Sequence, residues 1–315
     1  MLTAAHPVTS PIVWSAIRRS WPALTALAAV TALVAGCGAA DIAAPAQAAR
    51  YSTASGPIRI PYGEAPDNFG DLYLPGGGDN LPVVVMIHGG GWGQTHDLTY
   101  TGPLATDLTR EGIAVWNIEY RRVGGAGGWP VTLTDVVAAT DALVSEVQHH
   151  AEGRLDLDRV HVTGHSAGGQ LAAWIAARAT TSDPAAPGER PHVPVRSVTT
   201  MAGVLDMRRA ADAGDQFVRN LLGGIPDGLP DRYHWASPIT HLPFGVPVTA
   251  LHGTEDRTVS PEQPRHFADA ARSHGEHVEV IMLPGVGHGD FGRVDSSAWQ
   301  ATRAVLVERV TRADD

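Results

Sequence analysis

The sequence has no lysine; all 23 of its basic residues are arginine. A Walker-type phosphate loop needs a lysine after its glycines, so that class of nucleotide enzyme is excluded. The one-sided choice of arginine reads as the coding bias of a GC-rich genome rather than as chemistry. Cysteine is nearly missing as well: Cys37 stands alone, which excludes a disulfide framework. A domain of this size needs none. No basic stripe exists, and the formal net charge is -10, so nucleic acid is not an expected partner. The acidic balance serves solubility. No period repeats along the chain, which excludes a solenoid.

What is present begins with Arg18-Arg19 and the apolar run "SWPALTALAAVTALVAGC", residues 20–37. A basic patch before a short apolar stretch is the layout of an export signal, and the run is slightly short for a spanning helix. Val34-Ala35-Gly36-Cys37 resembles the lipobox of bacterial lipoproteins. That resemblance implies cleavage before Cys37 and a lipid on it, hence a membrane anchor. An ordinary secretory signal cut near "APAQAA", residues 44–49, and an uncleaved anchor both stay open. Residues 38–56, rich in Ala, Ser, Pro and Gly, read as a linker.

From residue 57 onward apolar runs alternate with helical spacing. Strands are expected at 58–61, 68–74, 83–88, 113–119, 159–164, 195–202, 247–252 and 277–283. Helices are expected at 98–112, 131–151, 167–179, after Ser260 as N-cap, and at 296–313. Strand–helix alternation means an α/β fold, a mostly parallel sheet with helices on both faces. The near-continuous apolar strands fit a sheet covered on both sides. Only 205–245 breaks the alternation, and it reads as a small lid inserted in a single domain, 57–315.

"VTGHSAGG" places Gly164-His165-Ser166-Ala167-Gly168 between a strand and a helix. The pentapeptide alone is weak evidence, but this context is that of a nucleophile elbow, in which a serine on a sharp turn projects from the sheet. A hydroxyl needs a base, and the base needs an orienting carboxylate. In this arrangement the order along the chain is Ser, acid, His. Asp256 follows the strand at 247–252, and His288 follows the strand at 277–283 in a glycine-flanked loop. Both therefore fall at the sheet edge where ligands of open α/β sheets gather. Glu255 and Asp206 are rival acids; Glu255 is less well spaced from its strand, and Asp206 is expected to support the lid. His88-Gly89-Gly90-Gly91-Trp92 follows another strand directly. A glycine run lets backbone N–H groups turn inward on a developing oxyanion, and the expected donors are Gly90, Gly91 and Ala167. His88 reads as a loop-shaping residue. Trp92, Trp129, Tyr233 and Trp235 are candidates to line an acyl or aryl pocket.

Together "DLYLPGGGDNLPVVVMIHGGGW", "NIEYR", "GHSAGGQLAA", "ASPITHL", "LHGTEDRTVSPEQ" and "PGVGHGDF" resemble, in order, the α/β-hydrolases of the esterase/lipase group that carry an HGGG oxyanion loop. The chain is most similar to small bacterial carboxylesterases of the hormone-sensitive-lipase and feruloyl/acetyl-xylan esterase branches. The resemblance implies a serine hydrolase acting on small-molecule esters without metal or organic cofactor. An amide hydrolase of the same fold, either a formamidase, whose glycine loop also ends in Trp, or a peptidase, is the alternative. A non-catalytic binding lipoprotein is a third reading, disfavoured by the presence of both Ser166 and His288.

Overall fold

The computed structural model describes residues 56–312, all within one compact unit, Ala48–Asp315. The expected export segment, Cys37 and all but the end of the expected linker lie outside the described residues.

Eight strands form one sheet: β1 (Ile58–Pro61), β2 (Phe69–Tyr73), β3 (Leu81–Ile87), β4 (Ala114–Ile118), β5 (Leu155–His165), β6 (Val195–Met201), β7 (Val248–Gly253) and β8 (Val278–Leu283). Their spatial order is β1-β2-β4-β3-β5-β6-β7-β8. The first two pairings are antiparallel and all the others parallel. The helices between are α1 (Gly102–Thr109), α2 (Val131–Asp141), α3 (Glu146–His150), α4 (Ala167–Thr180), α5 (Met207–Asp212), α6 (Gln216–Leu222), α7 (Pro230–Ala236), α8 (Glu262–Ser273) and α9 (Ser297–Thr311).

Successive side chains of a strand point to opposite faces, and both faces here are covered. Val83, Val85 and Ile87 enter one buried cluster with Leu133 and Val136 of α2 and Leu171 and Trp174 of α4. Val84 and Met86 enter another with Leu104 and Leu108 of α1 and Trp299 and Leu306 of α9. That is why β3 reads as an unbroken apolar run rather than an alternating one.

Three expectations need correction. The helix expected at 131–151 is interrupted: Ser145, at φ -126° and ψ -98°, leaves helical geometry, so Leu143 and Val147 are buried while Val144 is 55% exposed. β5 begins at Leu155, four residues early, because Leu155 pairs with Leu81 of β3 although Asp156, Asp158 and Arg159 after it are charged. Pro261, not Ser260, is the N-cap residue of α8; the Ser260 hydroxyl accepts only from the Glu262 N–H, at 3.3 Å. The expected lid, 205–245, folds into α5, α6, α7 and short 3-10 turns. Asp206 and Asp215 cap α5 and α6 with their carboxylates, because Asp favours a helix start over its interior.

Candidate active site

The elbow is built by glycines that let three backbone segments touch. A Cβ on Gly164 would lie 2.2 Å from the Gly168 carbonyl oxygen, and one on Gly168 would lie 2.1 Å from that of Ile87. Only hydrogen fits at either site, so β5 can turn into α4 directly against the end of β3. Ser166 sits at the bend with φ 56° and ψ -117°. Such a backbone costs on the order of 1–3 kcal/mol and persists only when its surroundings fix it. Here the Ser166 N–H donates to Met201 O at 2.8 Å, and Ser166 O accepts from Gly169 N at 2.9 Å.

Ser166, Asp256 and His288 line one cleft of about 1220 Å³, together with Gly90, Gly91 and Trp92. His288 Nδ1 donates to Asp256 Oδ2 at 2.7 Å. That bond fixes the tautomer and leaves Nε2 as the nitrogen able to take a proton. Asp256 is buried, with both oxygens engaged: Oδ1 accepts from Thr258 N (2.8 Å) and Val259 N (2.9 Å), and Oδ2 also meets His252 Nε2 at 3.2 Å. Burial pushes this carboxyl up, but the bonds from His252, His288 and Val259 outweigh it and hold it well below the usual carboxylate range. Of the rival acids, Glu255 is exposed. Asp206 accepts from Arg209 N and faces His266 at 3.2 Å.

The glycine loop meets the elbow directly: a Cβ on Gly89 would stand 3.1 Å from that of Ser166. Gly90 (φ 106°) and Gly91 (φ 61°) take left-handed backbones that glycine adopts freely. Ala167 is the first residue of α4, so its N–H is one of the first-turn donors with no intrahelical acceptor.

Behind the loop, His88 is fully buried. Its Nε2 meets Glu119 Oε1 at 2.8 Å, and its ring stacks on Tyr120 at 4.4 Å. Glu119 also accepts from Leu98 N and Tyr120 N, and the Tyr120 hydroxyl donates to His88 O. The "NIEYR" stretch is therefore the support of the glycine loop, and His88 shapes that loop, as expected.

Of the four aromatic candidates, only Trp92 lines the cleft; its Nε1 donates to Gln170 Oε1 at 3.0 Å. The other three are corrected. Trp129 packs at the edge of the main core, and its N–H donates to Leu221 O. Tyr233 is buried, with its hydroxyl on Gly224 O. The Trp235 ring stacks on His241. Of 205–245, α5, the turn after it and the start of α6 reach the cleft, whose wall there is supplied from Arg209 to Phe217, while α7, which carries Tyr233 and Trp235, does not line it. Phe217 is 56% exposed and lies over Gly91, where a Cβ would come within 2.5 Å of its ring.

Two more residues near the site carried no sequence signal beyond being polar in apolar surroundings. Gln170, fully buried in α4, accepts from Trp92 and donates to Ala236 O, tying the glycine loop to the 205–245 segment. His165 is buried beside His288, with ring centroids 4.7 Å apart, and its Nε2 donates to His288 O at 3.0 Å.

A glycine-flanked serine on a strained strand–helix elbow, at the edge of a mostly parallel sheet, defines an α/β-hydrolase. The chain belongs to the BD-FAE family, whose model matches residues 71–270. It is 32% identical over 248 residues to "Probable carboxylic ester hydrolase LipM" of Mycobacterium tuberculosis, covering 76% of this chain and 55% of that protein. The chain thus spans little more than half the length of that relative. Among solved structures, a carbohydrate esterase from gut microbiota superposes with TM-score 0.69 at 22% identity, covering 85% of this chain and 99% of that one, a likeness of fold. The native esterase 2 of Thermogutta terrifontis superposes with TM-score 0.64 at 26% identity, covering 80% of this chain and 91% of that one.

Proposed function

We propose that this protein is a serine hydrolase of carboxylic esters, with Ser166 as nucleophile, His288 as base and Asp256 as its orienting acid. The observation that carries this reading is the 2.7 Å His288–Asp256 bond in the cleft that Ser166 lines. Ser166 Oγ attacks the ester carbonyl while His288 Nε2 takes its proton. The resulting oxyanion is met by the N–H groups of Gly90, Gly91 and Ala167. Removing one such donor typically costs about 10²–10³ in turnover. The intermediate collapses, His288 returns the proton to the departing alcohol, and the acyl group stays on Ser166. Water, deprotonated by His288, then frees the acid and restores the serine. Asp256 stabilises the imidazolium in both halves without being protonated itself.

The test is turnover of a p-nitrophenyl ester chain-length series, with N-formylkynurenine and a peptide anilide alongside, by wild type and Ser166→Ala. Wild type should cleave esters and be labelled by a fluorophosphonate, and the variant should do neither. Turnover of the amides alone, or persistent labelling of the variant, would refute the assignment. We propose further that the chain is exported and lipid-anchored at Cys37, with 205–245 as a lid. Cys37→Ser should then release the protein from the membrane fraction, and unchanged retention would count against the anchor.

A further inference from the structure

Arginine in this chain is almost always committed. Among the described arginines, eighteen have a guanidinium that donates to a carboxylate or a backbone carbonyl. The remaining two, Arg209 and Arg257, are held by no acceptor among the described residues, and both line the Ser166 cleft. With no lysine in the sequence, no ammonium group supplements them.

The cleft's own carboxylates do not satisfy them. Asp215 is taken by the N–H groups of Phe217 and Val218, which it caps. Asp256 is buried, and both its oxygens are already engaged. Asp206, three residues from Arg209, accepts the Arg209 backbone N–H and faces His266. Nor are the two guanidinium groups carried on unrelated segments. Gln263 of α8 accepts from Leu205 N and Asp206 N and donates to Asp206 O, fastening the start of α5 to the element that follows the Arg257 loop. Arg257 is next to Asp256, on the turn that holds the acid against His288. Each guanidinium offers five N–H donors in a fork matched to a carboxylate, and neither can be deprotonated. Near the glycine loop, Trp92 and Phe217 add an apolar wall, beside the polar Thr95, His96 and Tyr100.

The geometry points to a substrate that carries its own carboxylate: an ester of which one end is anionic, held by Arg209 and Arg257 while its carbonyl lies at Ser166. This rests on the ester-hydrolase reading above and adds the substrate class to it. The apolar wall would take the uncharged end. The two arginines form a specificity element that acts on binding and orientation, with no part in proton transfer. Because both are exposed, their effect should weaken as salt shortens the screening length.

Two matched ester pairs test this. One places the charge on the alcohol side, the butyrate ester of 4-hydroxybenzoate against that of 4-hydroxybenzamide. The other places it on the acyl side, a phenyl monoester of adipic acid against its terminal carboxamide. In at least one pair wild type should prefer the carboxylate by about tenfold or more in kcat/KM, mainly through KM, with the preference shrinking at high salt. Arg209→Gln/Arg257→Gln should bring that ratio to about one. Equal turnover within both pairs, or a preference that survives the double substitution, overturns the proposal while ester hydrolysis stands. Calorimetric binding of the same pairs to Ser166→Ala separates the two readings if no ester is cleaved. Tighter binding of the carboxylate would then support the anion site and leave the hydrolase reading to fail alone, and equal binding would overturn the site.

Discussion

His165 couples the two halves of the site, and its protonation should be visible in stability. The Gly89 N–H donates to the Tyr100 hydroxyl, which donates to His165 Nδ1 at 3.1 Å, while His165 Nε2 donates to His288 O. An imidazolium would set a second N–H against that phenol and break the chain of donors. Burial lowers the His165 pKa, the neighbouring His288 lowers it further, and the bond to His288 O opposes both; it stands at about 3 against an ordinary 6.5. In the unfolded chain this histidine takes its proton near 6.5, and in the fold only near 3. Between those values the unfolded state binds more protons, so stability is fully present above pH 6.5 and falls as the solution is acidified. At about pH 5 the difference is some 1.5 units at 1.36 kcal/mol each, or about 2 kcal/mol. His165→Gln keeps a group that accepts from Tyr100 and donates to His288 O but does not titrate. Urea unfolding of both proteins at about pH 7.5 and pH 5 should show wild type losing about 2 kcal/mol more than the variant. Asp256, held low in the fold, loses its contribution only at more acid pH. His241, lowered by burial, is present in both proteins and cancels. Equal losses in wild type and variant would refute the reasoning.

On the proposed assignment, Asp256→Asn should fold yet lower kcat by about 10⁴, because an amide favours the wrong His288 tautomer; a variant within tenfold of wild type would remove Asp256 from its role. Gly168→Ala would drive a methyl group to 2.1 Å from Ile87 O and 2.5 Å from His88 O. The end of β3 must then retreat, at a cost of about 1–3 kcal/mol in urea unfolding. The glycine loop goes with it, so kcat should fall more than a stability loss alone explains; unchanged kcat would show that the loop does not depend on this contact.

The sequence by itself determined the sheet, the main helices packed on it and the three residues brought into one cleft at its edge. Buried strands must be apolar on both faces, helices keep a 3.6-residue spacing, and an elbow tolerates only hydrogen at Gly164 and Gly168. Those are local demands, so they leave local marks. Tertiary structure alone decided what depends on partners distant along the chain. Glu119 looks like any strand-end acid until His88, 31 positions away, is found against it. Gln170 looks like a stray polar residue in an Ala-rich helix until Trp92 and Ala236 use both ends of its amide. Trp129, Tyr233 and Trp235 have the chemistry of a pocket, but Trp129 packs against the main core, while the winding of 205–245 buries Tyr233, stacks Trp235 on His241 and presents Phe217 and Arg209 to the cleft. Which arginines are paired is likewise invisible in a string of 23 alike, since pairing is a property of where the opposite charges come to rest.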